Sequence, residues 1–184
     1  MRNLLSTKDQ RQLRLMETLI QHRDWLKLHE LADKLGCTER ILKSDLNELR
    51  AAFPTIDIQS SVNGIMIDLE VNTSVEDIYQ YFLAHSQSFQ LLEYLFFNEG
   101  LPIYRTIENL HSSNANLYRL GRNITKTLST QFQIELSFTP SEIRGNEIDI
   151  RYFFAQYFSE RYYFLDWPFP DLPEEDLTEF TDFF

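Results

Sequence analysis

One order of elements is written twice along this chain, and that repetition constrains its fold more than any other feature. Each copy reads as a helix, a short helix, a tight turn, a longer helix and then a two-stranded hairpin. In the first copy, Leu13, Met16, Leu19 and Ile20 recur at helical spacing within residues 8–22. Trp25-Leu26-Lys27-Leu28 is too short for a helix and reads as an extended lead-in. The next segment, 28–36, places Leu28, Leu31, Ala32 and Leu35 on one face, with Gly36 as its stop. Thr38 is a good N-cap for residues 39–53, whose Leu42, Leu46, Leu49 and Phe53 form an inward stripe ended by Pro54. Ile56-Asp57-Ile58 and Ile65-Met66-Ile67 then alternate on either side of Asn63-Gly64, a hairpin turn signal because both residues tolerate positive φ.

Val71 to Thr73 reads as a polar joint. The second copy opens with aromatic-rich helical patterns at 75–84 and 89–97, broken by Gly100-Leu101-Pro102. Residues 103–110 supply the short helix and His111-Ser112 the turn. Ser113 caps a long helix whose inward stripe is Leu117, Leu120, Ile124 and Leu128, with Gly121 admitting the close approach of another backbone. Residues 133–138 alternate as a strand, and Ile148-Asp149-Ile150 is expected to pair with it across a turn at Gly145-Asn146. From Arg151 the pattern is helical and aromatic until Pro168 and Pro170. The expected fold is mainly α with small β-hairpins: two tandem winged helix-turn-helix domains. They span 1–72 and 73–165, followed by an acidic tail, or the start of a further regulatory domain, at 166–184.

The chain has 184 residues, 43% of them hydrophobic and 14% aromatic, so it can fill real cores. No run of about 18 apolar residues suggests a membrane span, and the N-terminus has no signal-peptide pattern. Cys37 is the single cysteine, which excludes an intrachain disulfide and fits a reducing cytoplasm. The net charge of -11 is unusual for a partner of polyanionic DNA. The charge is uneven, however: the last stretch, from Asp166 on, has acids and no base, whereas 113–134 holds Arg119, Arg122 and Lys126 and no acid. The field at a face governs binding, not the sum over the chain.

An α-helix fits the major groove of B-DNA, and a helix-turn-helix presents one while its preceding helix supports it. In the first domain Arg40, Lys43, Ser44, Asn47 and Arg50 would line the outer face of the presenting helix, with Thr38 and Glu39 at its tip. In the second, Asn114, Asn116, Tyr118, Arg119, Arg122, Asn123 and Lys126 would do so, with the Ser113 cap joining them at the DNA. Such side chains bond base edges or phosphates. The hairpins at 60–65 and roughly 140–147 would serve as wings, with Arg144 the only base in the second tip and none in the first. Helices therefore carry most of the expected phosphate contacts, and the second presenting helix is the expected anchor. The first mixes its bases with Glu39, Asp45 and Glu48.

These residues carry a family likeness. Residues 28–49, with Ala32, Gly36 and Arg40…Asp45-Leu46, resemble the helix-turn-helix of bacterial regulators of the Mga and RofA group, and more loosely the DeoR type. The segment from Ser112 to Glu160, followed by Asp166 to Phe169, resembles the Mga helix-turn-helix domain. Leu117-Tyr118-Arg119, Arg144 to Glu147, Ile150 to Phe154 and Trp167-Pro168-Phe169 are the telling pieces. The likeness covers roughly residues 8 to 170. It implies a stand-alone, usually activating regulator of virulence or metabolism in Gram-positive bacteria, bound to double-stranded promoter DNA, with RNA polymerase as a further partner. Relatives continue into sugar-phosphotransferase-type regulatory domains and a transporter-subunit-like domain that promotes self-association. The chain is accordingly expected to be a piece of a longer regulator or a short relative.

Other chemistry finds little support. His22, His29, His85 and His111 show no metal spacing with Cys37 or one another, so no metal or cofactor is expected. Cys37 sits in a turn where a small packed residue is the ordinary occupant. The five scattered glycines form no phosphate loop, and no nucleophile–base arrangement suggests an enzyme. Glu174-Glu175-Asp176 reads as a solvated charge run. The aromatic block 152–163 could stack single-stranded bases, but its helical spacing favours a core and docking role. The rival reading is a winged-helix module that binds protein through the acidic tail and aromatic helix, without touching DNA.

Overall fold

The computed structural model describes residues 1–22, 24–68, 74–162 and 167–169. The expected joint at 71–73 and the acidic stretch 170–184 lie outside the described residues. Two compact units form, one from Arg2 to Phe89 and one from Gln90 onward together with Met1.

The first unit holds α1 (Thr7–His22), α2 (Leu28–Lys34), α3 (Glu39–Ala52), β1 (Asp57–Ser61), β2 (Gly64–Asp68) and α4 (Val75–His85). Its core is the stripe that the spacing predicts: Leu13, Met16 and Leu19 from α1, Leu31 and Ala32 from α2, and Leu42, Leu46 and Leu49 from α3. The isoleucines at 56, 58, 65 and 67 close it beneath the hairpin. Phe53, last of the α3 stripe, caps that helix and meets the ring of Tyr81 of α4 at 4.5 Å with the planes tilted by 57°; α4 also packs on α1.

The hairpin turns one step earlier than the Asn-Gly signal suggests. Ser61 pairs with Gly64, which leaves Val62 and Asn63 at the tip. Gly64 has φ +130°, and a Cβ there would come within 2.6 Å of the Leu26 carbonyl carbon. The glycine is required because the lead-in strand runs against it. Leu26 and Ile65 exchange backbone hydrogen bonds of 2.9 and 2.8 Å.

The boundary between the units falls inside α5 (Gln87–Phe97). The second unit continues with α6 (Ile103–Asn109), α7 (Asn114–Gln131), β3 (Glu135–Phe138), β4 (Ser141–Arg144) and α8 (Glu147–Tyr162). Leu117, Ile124 and Leu128 of α7 are buried, whereas Leu120 is only half-buried. Gly121 does mark a close approach, but what fills the space is the ring of Phe138 rather than a backbone. The aromatic helix α8 sends Phe153, Phe154, Tyr157 and Phe158 inward, and Phe154 meets Phe96 at 4.5 Å. The Tyr157 and Tyr162 hydroxyls donate to the two oxygens of Glu93 at 3.0 and 2.6 Å. Burial, with the Glu93 charge added, holds the Tyr157 phenol far above its ordinary range.

The second hairpin corrects the sequence reading. Its return strand is Ser141–Arg144, not Ile148-Asp149-Ile150, which lies in the first turn of α8. Asn146 decides the matter by accepting from the Ile148 N–H at 2.8 Å, a side-chain bond that starts a helix. The wing tip is therefore Thr139-Pro140. Arg144 sits at the far end, opposite Glu135 and ion-paired with Glu142.

Each unit thus contains one design. Leu28 and Ile103 open the short helices, Thr38 and Ser113 cap the long ones, and Glu39 and Asn114 begin them, every pair 75 residues apart. At the same offset, Gly36 and His111 turn the chain with φ of +64° and +45°. The lead-in repeats as well: Gly100 N–H donates to the Ser141 carbonyl at 2.8 Å, and Ser141 N–H to the Leu101 carbonyl at 3.4 Å. Two winged helix-turn-helix units in tandem result, in a mostly helical chain with two small antiparallel hairpins.

Candidate nucleic-acid interface

The outer face of α3 is built from the N-cap onward. The Thr38 hydroxyl accepts from the Ile41 N–H at 3.3 Å, satisfying one of the free amides of the first turn. Arg40, Lys43, Ser44 and Asn47 follow at steps of three, one and three, which places them on one exposed stripe. Arg50 does not join them as a free cation. Half-buried, it donates from Nε to the Ile58 carbonyl at 2.9 Å, from one terminal nitrogen to Asn47 Oδ1 at 3.3 Å, and from the other to the Ser60 hydroxyl. It braces the wing against the helix.

The acids of α3 face elsewhere than the sequence alone suggests. Asp45 is buried and accepts from Arg11 Nε at 2.6 Å, from a second Arg11 nitrogen at 3.1 Å and from Gln12 at 3.1 Å. Glu48 pairs with Lys8 and accepts from Gln12 at 3.0 Å. The Asp45 hydrogen bond, opposed in part by burial, raises the Arg11 guanidinium further above its ordinary value. The bond from Lys8, then that from Gln12, lowers the Glu48 carboxyl. Both acids are neutralised by α1, and only Glu39, 4.0 Å from Lys43, stays beside the outer stripe. Burial pushes the neighbouring Cys37 thiol up, keeping it protonated and weakly reactive.

On α7 the arrangement is simpler. The Ser113 hydroxyl accepts from the Asn116 N–H at 3.2 Å. Asn116 Nδ2 donates to the Ser112 hydroxyl at 2.9 Å, and Asn116 Oδ1 accepts from Arg119 at 2.7 Å. Arg119, Arg122, Asn123 and Lys126 share one exposed stripe, and no acid occurs on the helix. Tyr118 flanks the stripe and sets its ring edge-on to Phe138 at 5.2 Å. Asn114 stands apart, exposed at the first helical position and about 120° round from the stripe, at ~100° per residue.

Sequence reasoning missed Lys27. Its ammonium reaches the Val62 carbonyl at 3.5 Å, so the first wing tip has a cation after all, supplied by the lead-in strand. Val62 itself is 96% exposed. The pairing of Leu26 with Ile65 brings Lys27 there, and no local pattern announces that contact. Among the described residues no cluster of His, Cys, Asp and Glu could hold a metal, and no helix is long and apolar enough to cross a membrane.

Residues 6–65 match the helix-turn-helix domain of the M protein trans-acting positive regulator, and residues 71–158 match the Mga helix-turn-helix domain. The chain belongs to the Mga-like family. It is 47% identical, over 159 residues, to a Streptococcus pneumoniae protein named as a trans-acting regulator, covering 86% of this chain and 32% of that protein. It is 26% identical, over 154 residues, to the capsule synthesis positive regulator AcpA of Bacillus anthracis, covering 80% of this chain and 31% of AcpA. The chain spans about one third of the length of these curated relatives. The second Mga match opens at residue 71, so α4, which packs within the first compact unit, is counted by the family with the second.

Proposed function

We propose that this chain is the DNA-gripping part of a cytoplasmic transcription regulator, one that binds duplex promoter DNA selectively through the outer faces of α3 and α7. The observation that carries the reading is the charge on those faces: α7 shows three bases and no acid, and α3 turns Asp45 and Glu48 onto α1. A net charge of -11 does not oppose binding if the field at these stripes is positive. Thr38, Ser113, Asn114 and Tyr118 stand at the helix tip or flank, and Lys27 adds a cation at the first wing. Activation is the outcome suggested by the family and by AcpA, each described as a positive regulator.

Anisotropy with labelled promoter duplexes at several salt concentrations tests this. Each phosphate neutralised adds about 0.9 to the slope of log affinity against log salt. Replacing both Arg119 and Arg122 by alanine should weaken binding and flatten that slope. Parental affinity and slope in the double variant would refute the assignment. The rival, a protein-binding module, predicts no salt-dependent DNA binding at all.

A further inference from the structure

The cations of α7 are not equivalent, and the geometry points to a division of labour: Arg119 reads a guanine while Arg122 and Lys126 hold phosphates. This rests on the reading of α7 as a major-groove helix.

Arg119 is the sixth residue of α7, near the end at which a helix-turn-helix meets base edges. Lys126 lies seven residues further on, about 10 Å along the axis at ~1.5 Å per residue. The major groove is about 12 Å wide, so a helix entering by its N-terminus carries Lys126 towards the backbone at the groove edge. Position alone would leave Arg119 a flexible cation. What distinguishes it is a chain of bonds: Ser112 hydroxyl to Asn116 Nδ2, then Asn116 Oδ1 to a terminal nitrogen of Arg119 at 2.7 Å. Asn116 is itself fixed, since the Ser113 cap holds its backbone N–H.

One N–H of the guanidinium is thereby anchored, and four remain of the five in its planar fork. Two parallel donors from such a fork match O6 and N7 of guanine, which no other base pair presents together in the major groove. A phosphate needs no orientation of this kind, because it accepts a cation from many directions. Among the described residues neither Arg122 nor Lys126 has a hydrogen bond of this type from its own side chain, and both are exposed. Asn116 is thus a positioning residue that orders Arg119 before the duplex arrives.

The test uses the whole chain and a pool of randomised duplexes, selected by binding and then sequenced, with the salt slope measured on the enriched duplex. The parent should enrich a site with an invariant guanine. Arg119→Ala should lose preference at that one position by roughly 5- to 150-fold, the range of a good bidentate base contact, with the slope unchanged. Arg122→Ala should keep the full preference and lower the slope by about 0.9. Asn116→Ala should blunt the guanine preference, and Asn116→Asp, which keeps an acceptor for Arg119, should restore it. Unchanged melting of each variant separates these effects from loss of fold.

If Arg119→Ala weakens all duplexes alike and lowers the slope, Arg119 is a phosphate anchor, and the inference fails while DNA binding stands. If Asn116→Ala leaves the guanine preference intact, the positioning role fails. A parent that enriches no sequence and binds no duplex overturns both this inference and the proposed function.

Discussion

Replacing Gly64 by alanine should damage the first unit far more than its single added methyl group suggests. Two costs act together. At φ +130° an L-residue is strained, by about 1–3 kcal/mol. The new Cβ would also lie within 2.6 Å of the Leu26 carbonyl carbon and 3.1 Å of the Lys27 nitrogen, both backbone atoms that cannot rotate away. The strand must retreat, giving up the paired bonds of Leu26 and Ile65 at about 0.5–1.5 kcal/mol each. The sum is roughly 2–6 kcal/mol, a large part of the ~5–15 kcal/mol that stabilises a typical domain. Gly36 is the internal control. Its φ of +64° carries a similar conformational cost, about 1–2 kcal/mol, but nothing lies within 4 Å of an added Cβ. Urea unfolding followed by circular dichroism should therefore show Gly64→Ala losing at least about twice as much as Gly36→Ala. Hydrogen exchange should show the Leu26 and Ile65 amides losing protection. Equal losses in the two variants, or parental protection at those amides in Gly64→Ala, would refute the reasoning.

Two further outcomes concern the face that α3 turns to α1. Asp45→Ala removes a buried carboxylate from Arg11 and Gln12 and should cost roughly 3 kcal/mol in urea unfolding, the lower end for breaking a buried pair; a loss under about 1 kcal/mol would show that Arg11 simply relaxes into water. Because the Glu48 carboxyl is lowered in the fold, its contribution is present above the unfolded value of about 4.3 and is lost as pH falls through the folded one. Glu48→Gln should consequently flatten the acid limb of the stability curve below pH ~4.3, and an unaltered limb would contradict the Lys8 and Gln12 bonds.

The first unit was legible nearly throughout because each of its signals is local. Leu42, Leu46 and Leu49 at helical spacing, the Thr38 cap and the alternating isoleucines need no knowledge of distant residues. The second hairpin was not legible. Ile148-Asp149-Ile150 is too short for its alternation to tell strand from helix, whereas the true strand, Ser141-Glu142-Ile143-Arg144, offers one apolar side chain. Asn146 was visible, but as a turn residue rather than as the bond that opens α8. For the candidate interface, periodicity found the outer stripes yet could not say which charges stay free. Arg50 looks outward on a helical wheel and is tied to β1. Asp45 and Glu48 weaken the face on paper but meet Arg11 and Lys8, more than thirty residues away, in the fold. Lys27 reaches its place only through a strand bridge that spans residues 26 to 65.

The constant spacing between the two units has an engineering consequence. Because capping residue, turn, lead-in and inward stripe recur in step, the side chains that would touch a ligand can be exchanged without disturbing those that hold the helix. Arg40, Lys43, Ser44 and Asn47 stand where Ala115, Tyr118, Arg119 and Arg122 stand in the other unit. One frame carries two different outward surfaces, so, with DNA read as proposed, a transplant of these residues together with Asn116 at the position of Ile41 is expected to move recognition from one unit to the other while the cores remain native.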